Sequence, residues 1–225
     1  MKKLLLVATA LATSTFAAQI TLDISGAVND DLQTLDAAYP SGLVTNSGIT
    51  FEIAPPGSQN YWNALTTGDE FPEMAVPVNL SGVTRLYALI GLVMSNSADP
   101  LPASLSIHAS DSSVFTVNLT PGSDLRDYDL ASTNTINGTN PVNPGENGTI
   151  NWFNSGSVVL DALIVNLPSD WSTKTIDLIR FTDDGSDGQQ RMFVAAVTAD
   201  AETPEPATFG LVAGAGLLMA FLRRK

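Results

Sequence analysis

Apolar and polar residues alternate along several short stretches of the chain, a pattern typical of strands with one buried face. The clearest alternating stretches are residues 20–25, 49–53 and 114–119. Residues 83–93 are nearly all apolar, which predicts a central strand buried on both faces. Three further strands are expected at residues 158–165, 175–182 and 190–198.

Turn-forming residues separate these strands, and the body of the chain has no long stretch with a helical period. About eight to ten short strands with turns between them predict an all-β fold, built as a single β-sandwich. A jelly roll is the version that we expect. Residues 121–156 are rich in Asn, Gly, Thr and Pro, which indicates a long loop with one short strand at residues 149–153.

The N-terminus has the three parts of a secretory signal peptide. Two lysines follow Met1, residues 4–12 are mostly apolar, and small residues follow. Small residues at Thr15 and Ala17 predict cleavage after Ala17, so residues 1–17 are the expected signal peptide. An uncleaved anchor is the alternative, but the apolar run is shorter than the roughly 20 residues that a membrane span needs.

The C-terminus combines a short polar motif, an apolar run and a basic end. The motif is Pro204, Glu205 and Pro206, and the basic cluster is Arg223, Arg224 and Lys225. Between them, residues 207–222 would form a helix about 24 Å long, and terminal basic side chains can extend its reach across a membrane. The positive-inside rule predicts a C-terminal transmembrane helix with the basic cluster in the cytoplasm and the body outside.

These three parts together resemble the PEP-CTERM sorting signal of Gram-negative bacteria, and the resemblance covers residues 203–225. It implies processing near residues 204–206 by an exosortase-type membrane enzyme, with signal peptidase acting at the other end. The protein is then expected to be exported, held at the inner membrane as an intermediate, and delivered to the cell surface or the extracellular matrix. A plain membrane anchor is the alternative. The expected organisation is a signal peptide at 1–17, a secreted domain at 18–203 and a sorting signal at 204–225.

Charge and cysteine content narrow the functional classes. The chain has a formal net charge of −13, and leaving out Glu205 and the five terminal bases gives −17 for residues 18–203. Because phosphate binding needs a basic face, we expect no nucleic-acid partner. The chain has no cysteine, which excludes disulfides, thiolate metal sites and a cysteine nucleophile.

Residues 183–188 read Asp-Asp-Gly-Ser-Asp-Gly and are the best metal-binding candidate. Carboxylates interspersed with glycines suit Ca²⁺, so Asp183, Asp184 and Asp187 are the predicted ligands, and residues 29–31 are a source of more. A polar turn between two strands is the alternative, because Asp and Gly favour turns.

Aromatic residues near polar loops are the predicted glycan-binding platform, because flat rings stack on the C–H faces of sugars. The candidates are Tyr61, Trp62 and Trp152, the last near the end of the Asn-rich segment. Core packing is the alternative, because neighbouring residues in a strand face opposite sides and one of an adjacent pair is expected to point inward.

Catalytic signals are weak. His108 is the only histidine, and no serine lies in a nucleophile elbow, so we assign no catalytic residue. A polysaccharide hydrolase with paired carboxylates is the remaining enzymatic interpretation, and the sequence does not choose among its possible acids. Those acids are Glu52, Glu70, Glu73 and Asp161.

Short segments of the body are similar to jelly-roll ectodomains of PEP-CTERM and carbohydrate-binding proteins, which implies a galactose-binding-like sandwich. The segments are residues 76–84, 115–119, 124–128 and 177–184. We expect a non-catalytic surface or biofilm-matrix protein that associates with exopolysaccharide, with Ca²⁺ as its one expected cofactor. A self-associating structural protein without glycan binding is the alternative.

Overall fold

The computed structural model describes residues 16–57, 59–64, 72–94, 103–131, 138–139, 146–183 and 190–203. Within these ranges the protein is all-β, as predicted, with two short 3₁₀ helices at Leu32–Thr34 and Ser169–Thr173. The strands are β1 (Phe16–Thr21), β2 (Gly42–Asn46), β3 (Ile49–Ile53), β4 (Trp62–Asn63), β5 (Glu73–Ser81), β6 (Val83–Val93), β7 (Ala103–Ala109), β8 (Val114–Leu119), β9 (Gly148–Asn154), β10 (Val159–Asn166), β11 (Thr175–Asp183) and β12 (Arg191–Thr203).

A six-stranded antiparallel sheet lies at the centre of the protein. Its strand order is β1-β12-β6-β10-β9, and the short β4 pairs with the opening residues of β12. Almost every residue of β6 is buried, so the prediction of a central strand covered on both faces is confirmed. Two layers of chain, one on each face of this sheet, provide the cover.

A four-stranded antiparallel sheet with the order β5-β11-β7-β8 covers the first face. Burial alternates strictly along β7, which is the pattern of a strand with one face on a core. The inner core lies between the two sheets and is largely aliphatic, with Leu105, Ile179 and Val197 among its buried members. At Gly82, with φ of +73°, the chain passes from the four-stranded sheet into the central one.

The β2–β3 hairpin and the segment around the first 3₁₀ helix cover the second face. Ser47 and Gly48 both have positive φ, which suits the tight turn between paired strands. The outer core beneath this layer is rich in aromatic rings, including Phe51, Trp152 and Phe193. The protein is therefore a β-sandwich with a third, irregular layer on the second face of its larger sheet. We call this layer the outer layer and the face that it covers the outer face.

Most of the predicted strands are confirmed within about two residues, including the short strand expected at residues 149–153. The strand expected at residues 20–25 ends earlier, at Thr21. Leu22 still donates a backbone hydrogen bond to Val197, but Ile24 begins a turn that leaves the sheet. β1 starts at Phe16 and pairs with β12 from there, so the predicted cleavage point after Ala17 lies inside the strand.

Candidate functional site

A surface groove opens where β1 leaves the central sheet and the outer layer begins. One wall is the segment that follows β1, and the other is the end of β3 with the loop after it. We call this feature the edge groove, and its volume is about 490 Å³. Its lining residues are 21–25, 52–55 and 59–60, together with Val28 and Gly42.

Side-chain hydrogen bonds hold the polar groups of the edge groove in place. The Thr21 hydroxyl donates to Oε2 of Glu52 at 3.2 Å and links the two walls. Asp23 accepts a 2.9 Å bond from the backbone N–H of Ser25. The amide of Gln59 donates to the Asn29 carbonyl at 3.1 Å. The polar rim is thus partly preorganised before any ligand arrives.

Apolar side chains from both cores reach the edge groove. Ile24 is 8 % exposed and belongs to the inner core, whereas Ile53 is fully buried and belongs to the outer core. Leu22, Val28 and Ala54 add half-buried surface to the lining. The two cores meet at this place because the outer layer crosses the edge of the central sheet beside β1.

The electrostatic character of the edge groove is acidic. Hydrogen bonds from the Ser25 side chain and backbone hold the pKa of Asp23 below its usual range, so this carboxylate is ionised at neutral pH. Glu52 is exposed on the opposite wall. The groove residues that the structure describes include no Lys, Arg or His. An uncharged or cationic ligand is therefore favoured over an anionic one.

An apolar surface with a rim of carboxylate, hydroxyl and amide groups suits a polyol. Carboxylate oxygens accept hydrogen bonds from hydroxyl groups, and such charge-assisted bonds are stronger than neutral ones. The C–H face of a sugar ring would lie against the half-buried Leu22 and Val28. Asp23 itself is not suited to be a general acid, because that role needs a raised pKa and the pKa of Asp23 is lowered.

The predicted aromatic platform is not present at the surface. Tyr61, Trp62 and Trp152 are at most 1 % exposed, and a ring must expose a face to stack on a sugar. The Trp152 indole donates to the Ile49 carbonyl at 3.2 Å and meets Phe51 edge to face. These three side chains are core residues, and the glycan-binding role assigned to them is corrected accordingly.

Tyr61 and Trp62 are neighbours, yet both are buried. Tyr61 belongs to the outer core and Trp62 to the inner core. The expectation that one of an adjacent pair faces water assumes a sheet with one covered face, and β4 lies in a sheet covered on both. Burial and the nearby Asp30 raise the pKa of Tyr61, so its hydroxyl stays protonated and donates to Asp30 at 2.9 Å.

Of the three predicted calcium ligands, Asp183 alone lies within the described residues. Asp183 ends β11, is 1 % exposed, and accepts a 2.6 Å hydrogen bond from the Met192 backbone N–H. Asp184 and Asp187 lie outside the described residues. In the described part of the chain, no group of three or more His, Asp or Glu side chains is arranged to hold a metal ion. Asp183 itself contributes to the connection between β11 and β12.

The suggested additional ligands at residues 29–31 have structural partners of their own. Asp30 accepts from Tyr61, and the two oxygens of Asp31 accept from the backbone N–H groups of Gln33 and Gly57. Asn29 binds both backbone groups of Asn63. This segment ties the outer layer to β4.

The other chemical candidates are dispersed. His108 lies on the outer face of the four-stranded sheet and contacts Ser106 at 3.0 Å. Glu73 pairs with Arg180, Asp161 pairs with Arg126, and Glu70 lies outside the described residues. Of the three possible hydrolase acids that the structure describes, Glu52 alone lines the edge groove.

The predicted sorting motif at residues 204–206, the helix at 207–222 and the basic residues 223–225 lie outside the described residues. Nearly all of the predicted signal peptide does so as well. In the ranges that the structure does describe, no helix is long and apolar enough to span a membrane.

Comparisons with protein-family models, curated proteins and solved structures found no match. The chemistry of the edge groove itself therefore carries the functional interpretation. Sequence reasoning missed the groove because Asp23 and Glu52 belong to separate predicted strands, and only the passage of β3 over β1 brings these two acids to one site.

Proposed function

We propose that the protein is a non-catalytic surface or matrix protein that binds neutral exopolysaccharide in the edge groove. The observation that carries the proposal is the pairing of a hydrogen-bonding rim, which includes Asp23 and Glu52, with an apolar lining. Sugars present both hydroxyl groups and C–H faces, so they match both parts. The strong negative charge of the chain disfavours acidic polymers.

The strand order supports a jelly roll as the finer description of the fold. The central sheet runs β1-β12-β6-β10 and the second sheet runs β5-β11-β7-β8. Those eight strands form two four-stranded rows joined by repeated crossings between the sheets, which is the jelly-roll arrangement. β9 then extends one edge, and the β2–β3 hairpin is an insertion between the first two strands of the roll.

Sorting through the C-terminus is the second part of the proposal, and its support is the sequence of residues 203–225. Signal peptidase and an exosortase-type enzyme would release the domain to the cell surface or matrix. The test is the intact mass of the protein isolated from the envelope and matrix of its host. A C-terminus near Glu205 supports processing, whereas a mass that retains residues 207–225 contradicts it.

Polysaccharide binding is tested by affinity gel electrophoresis of the full chain in gels containing a soluble glucan or galactan, with acidic alginate for comparison. We expect a neutral polymer to retard the wild type, and Glu52→Gln or Asp23→Asn to weaken the retardation about tenfold in apparent Kd, which equals about 1.4 kcal/mol. Asp177→Asn is the control, because it removes the same charge from an exposed site on the four-stranded sheet. Binding that is equal in all variants contradicts the assignment of the groove.

Two other functions remain as alternatives. A polysaccharide hydrolase would use Asp23 and Glu52 together, and it predicts release of reducing ends that both groove variants abolish. A structural protein that self-associates is favoured by one specific observation: in the described part of the chain, no strand pairs with the outer edge of β8.

A further inference from the structure

The two edges of the four-stranded sheet differ in how they are protected. β5 has Pro77 and Glu73 exposed and a register irregularity against β11, which are features that discourage strand pairing. β8, at the opposite edge, reads Val-Phe-Thr-Val-Asn-Leu and has no charge and no proline. Its pairing with β7 is regular from Ala103 to His108. Among the described residues, no strand lies on its other side.

The backbone of β8 presents hydrogen-bonding groups to this open edge. The Ala109 N–H donates to the Ser113 carbonyl, which fixes the alternation of the ladder. Phe115, Val117 and Leu119 then direct their backbone groups to β7, and the intervening residues direct theirs outward. Those intervening residues are Val114, Thr116 and Asn118.

The side chains of the same three residues are exposed, and Val114 is 53 % exposed. Val114 is one of three large hydrophobic residues that are exposed in the described part of the chain, and it lies in the edge strand itself. An uncovered edge that combines free ladder positions with an exposed apolar side chain is a site for strand addition.

We propose that the β8 edge pairs with β8 of a second copy, antiparallel and about a two-fold axis. Thr116 of each copy would lie opposite Thr116 of the other, and Val114 would lie opposite Asn118. In an antiparallel ladder, each of these three pairs exchanges two backbone hydrogen bonds. The four-stranded sheets of two copies would then form one continuous sheet, and the interface would be isologous.

Charge favours a second copy over another peptide. β8 has no charged side chain, so a basic or an acidic peptide would find no opposite charge along the strand and would pair with it no better than a neutral one. β8 is itself an uncharged extended segment, and pairing it with its own copy places no like charges opposite each other. Thr opposite Thr is also a favourable cross-strand pair.

This inference deepens the structural alternative and does not depend on the edge groove. The first test is the mass of the full chain, in a mild detergent, by light scattering at about 100 µM. We expect a dimer that Thr116→Lys and Thr116→Pro convert to monomer, whereas Asn79→Lys on the β5 edge leaves it unchanged. A monomeric wild type, or a dimer that survives both Thr116 variants, overturns the proposal. Unfolding curves of each variant separate a lost interface from a lost fold.

The absence of cysteine from the chain allows a second test that reads the register. Opposed ladder residues have Cα atoms about 5.5 Å apart, within disulfide range. Thr116→Cys alone should cross-link on mild oxidation. Val114→Cys mixed with Asn118→Cys should cross-link about tenfold more than either variant alone, and Asn79→Cys should not. Equal cross-linking in all of these samples indicates random collision and overturns the register.

The two tests are independent of the polysaccharide assay. Thr116 lies on the four-stranded sheet, and the edge groove lies on the outer side of the central sheet. If the chain stays monomeric but a neutral polysaccharide still retards it, only the proposed self-association is contradicted. If it dimerises but no polysaccharide retards it, only the proposed polysaccharide binding is contradicted.

Discussion

The two faces of the central sheet are buried in different ways. The inner face packs on a second regular sheet through a mainly aliphatic core. The outer face packs on a hairpin and irregular segments through a core that is rich in aromatic rings. Buried side-chain hydrogen bonds cluster on the outer side, where Asn60 accepts from the Leu32 N–H at 2.7 Å and Thr198 donates to the Thr50 carbonyl at 2.7 Å.

The difference follows from the backbone. Two ladders that face each other have already satisfied their N–H and C=O groups, so only the shapes of the side chains must match. Irregular chain has no ladder of its own. It lies on a buried face only where side chains supply the missing partners. The outer layer is therefore held by polar anchors as well as by apolar packing, and each kind of contact can be tested separately.

The largest expected effect is the loss of an aromatic anchor of the outer core. Trp152→Ala removes a fully buried ring that contacts Phe51 and bonds the Ile49 carbonyl. We expect a loss of about 3–5 kcal/mol in the free energy of unfolding, measured with urea. Phe181→Ala, in the inner core, should cost a similar amount. A cost below about 1 kcal/mol for Trp152→Ala alone would show that the outer layer is dispensable.

The next effect concerns the buried ion pair at the end of the inner core. Arg126 binds Asp161 through two hydrogen bonds of 2.6 Å, and burial raises the pKa of Asp161. Arg126→Met leaves the carboxylate without its cation, so we expect a loss of about 3 kcal/mol at pH 7.

The pH dependence of this loss has a definite sign. A raised pKa means that the folded state binds a proton more tightly than the unfolded state, whose Asp pKa is about 3.9. The free-energy cost of burying an ionised Asp161 is therefore absent at low pH. It develops as the pH rises through the pKa that Asp161 has in the folded state. Arg126→Met should cost far less at pH 4 than at pH 7 in urea unfolding. Adding Asp161→Leu should restore most of the stability at pH 7, and an unrescued double variant contradicts this explanation.

A smaller effect is expected from a polar anchor of the outer layer. Asn60 is 1 % exposed, accepts from Leu32 and donates to the Ala54 carbonyl. Asn60→Ala leaves the Leu32 N–H without that acceptor and should cost about 2 kcal/mol. Hydrogen exchange at residues 30–35 should become faster than in Asn79→Ala, an exposed control. Equal exchange rates in the two variants argue against Asn60 as an anchor.

The smallest effect is expected at a surface pair outside both faces. Lys174 binds Asp111 at 2.7 Å and holds the pKa of this carboxyl below its usual range. A lowered pKa adds stability above the unfolded value of about 3.9, and this stability is lost as the pH falls through the folded pKa.

Because the Asp111 side chain is about half exposed to solvent, Asp111→Asn should lower Tm by no more than about 2 °C at pH 7 and by less at pH 2. Asp170→Asn makes the same charge change nearby and is the control. If the difference between Asp111→Asn and wild type is as large at pH 2 as at pH 7, the ion pair is not its cause.

The sequence predicts the regular part of this protein well. A nearly continuous apolar run such as residues 83–93 has few interpretations other than a strand buried on both faces. The alternation of apolar and polar residues likewise predicts β3 and β8 at their observed positions. The outer layer is harder to predict from the sequence, because single residues such as Asn60 anchor it and their hydrogen-bond partners are distant in the sequence. The edge groove is the hardest feature to predict, because it forms only where β3 crosses β1 in the folded protein.

The position of β12 determines when the protein can fold. Among the described residues, β12 is the last strand in chain order, yet it lies between β1, the first of them, and β6. A ribosome delivers the chain from its N-terminus, so the central sheet cannot close until residue 203 has emerged. Contacts across such sequence separations also form slowly. The central sheet is therefore completed late, and until then the edges of β1 and β6 that flank β12 lack their partner.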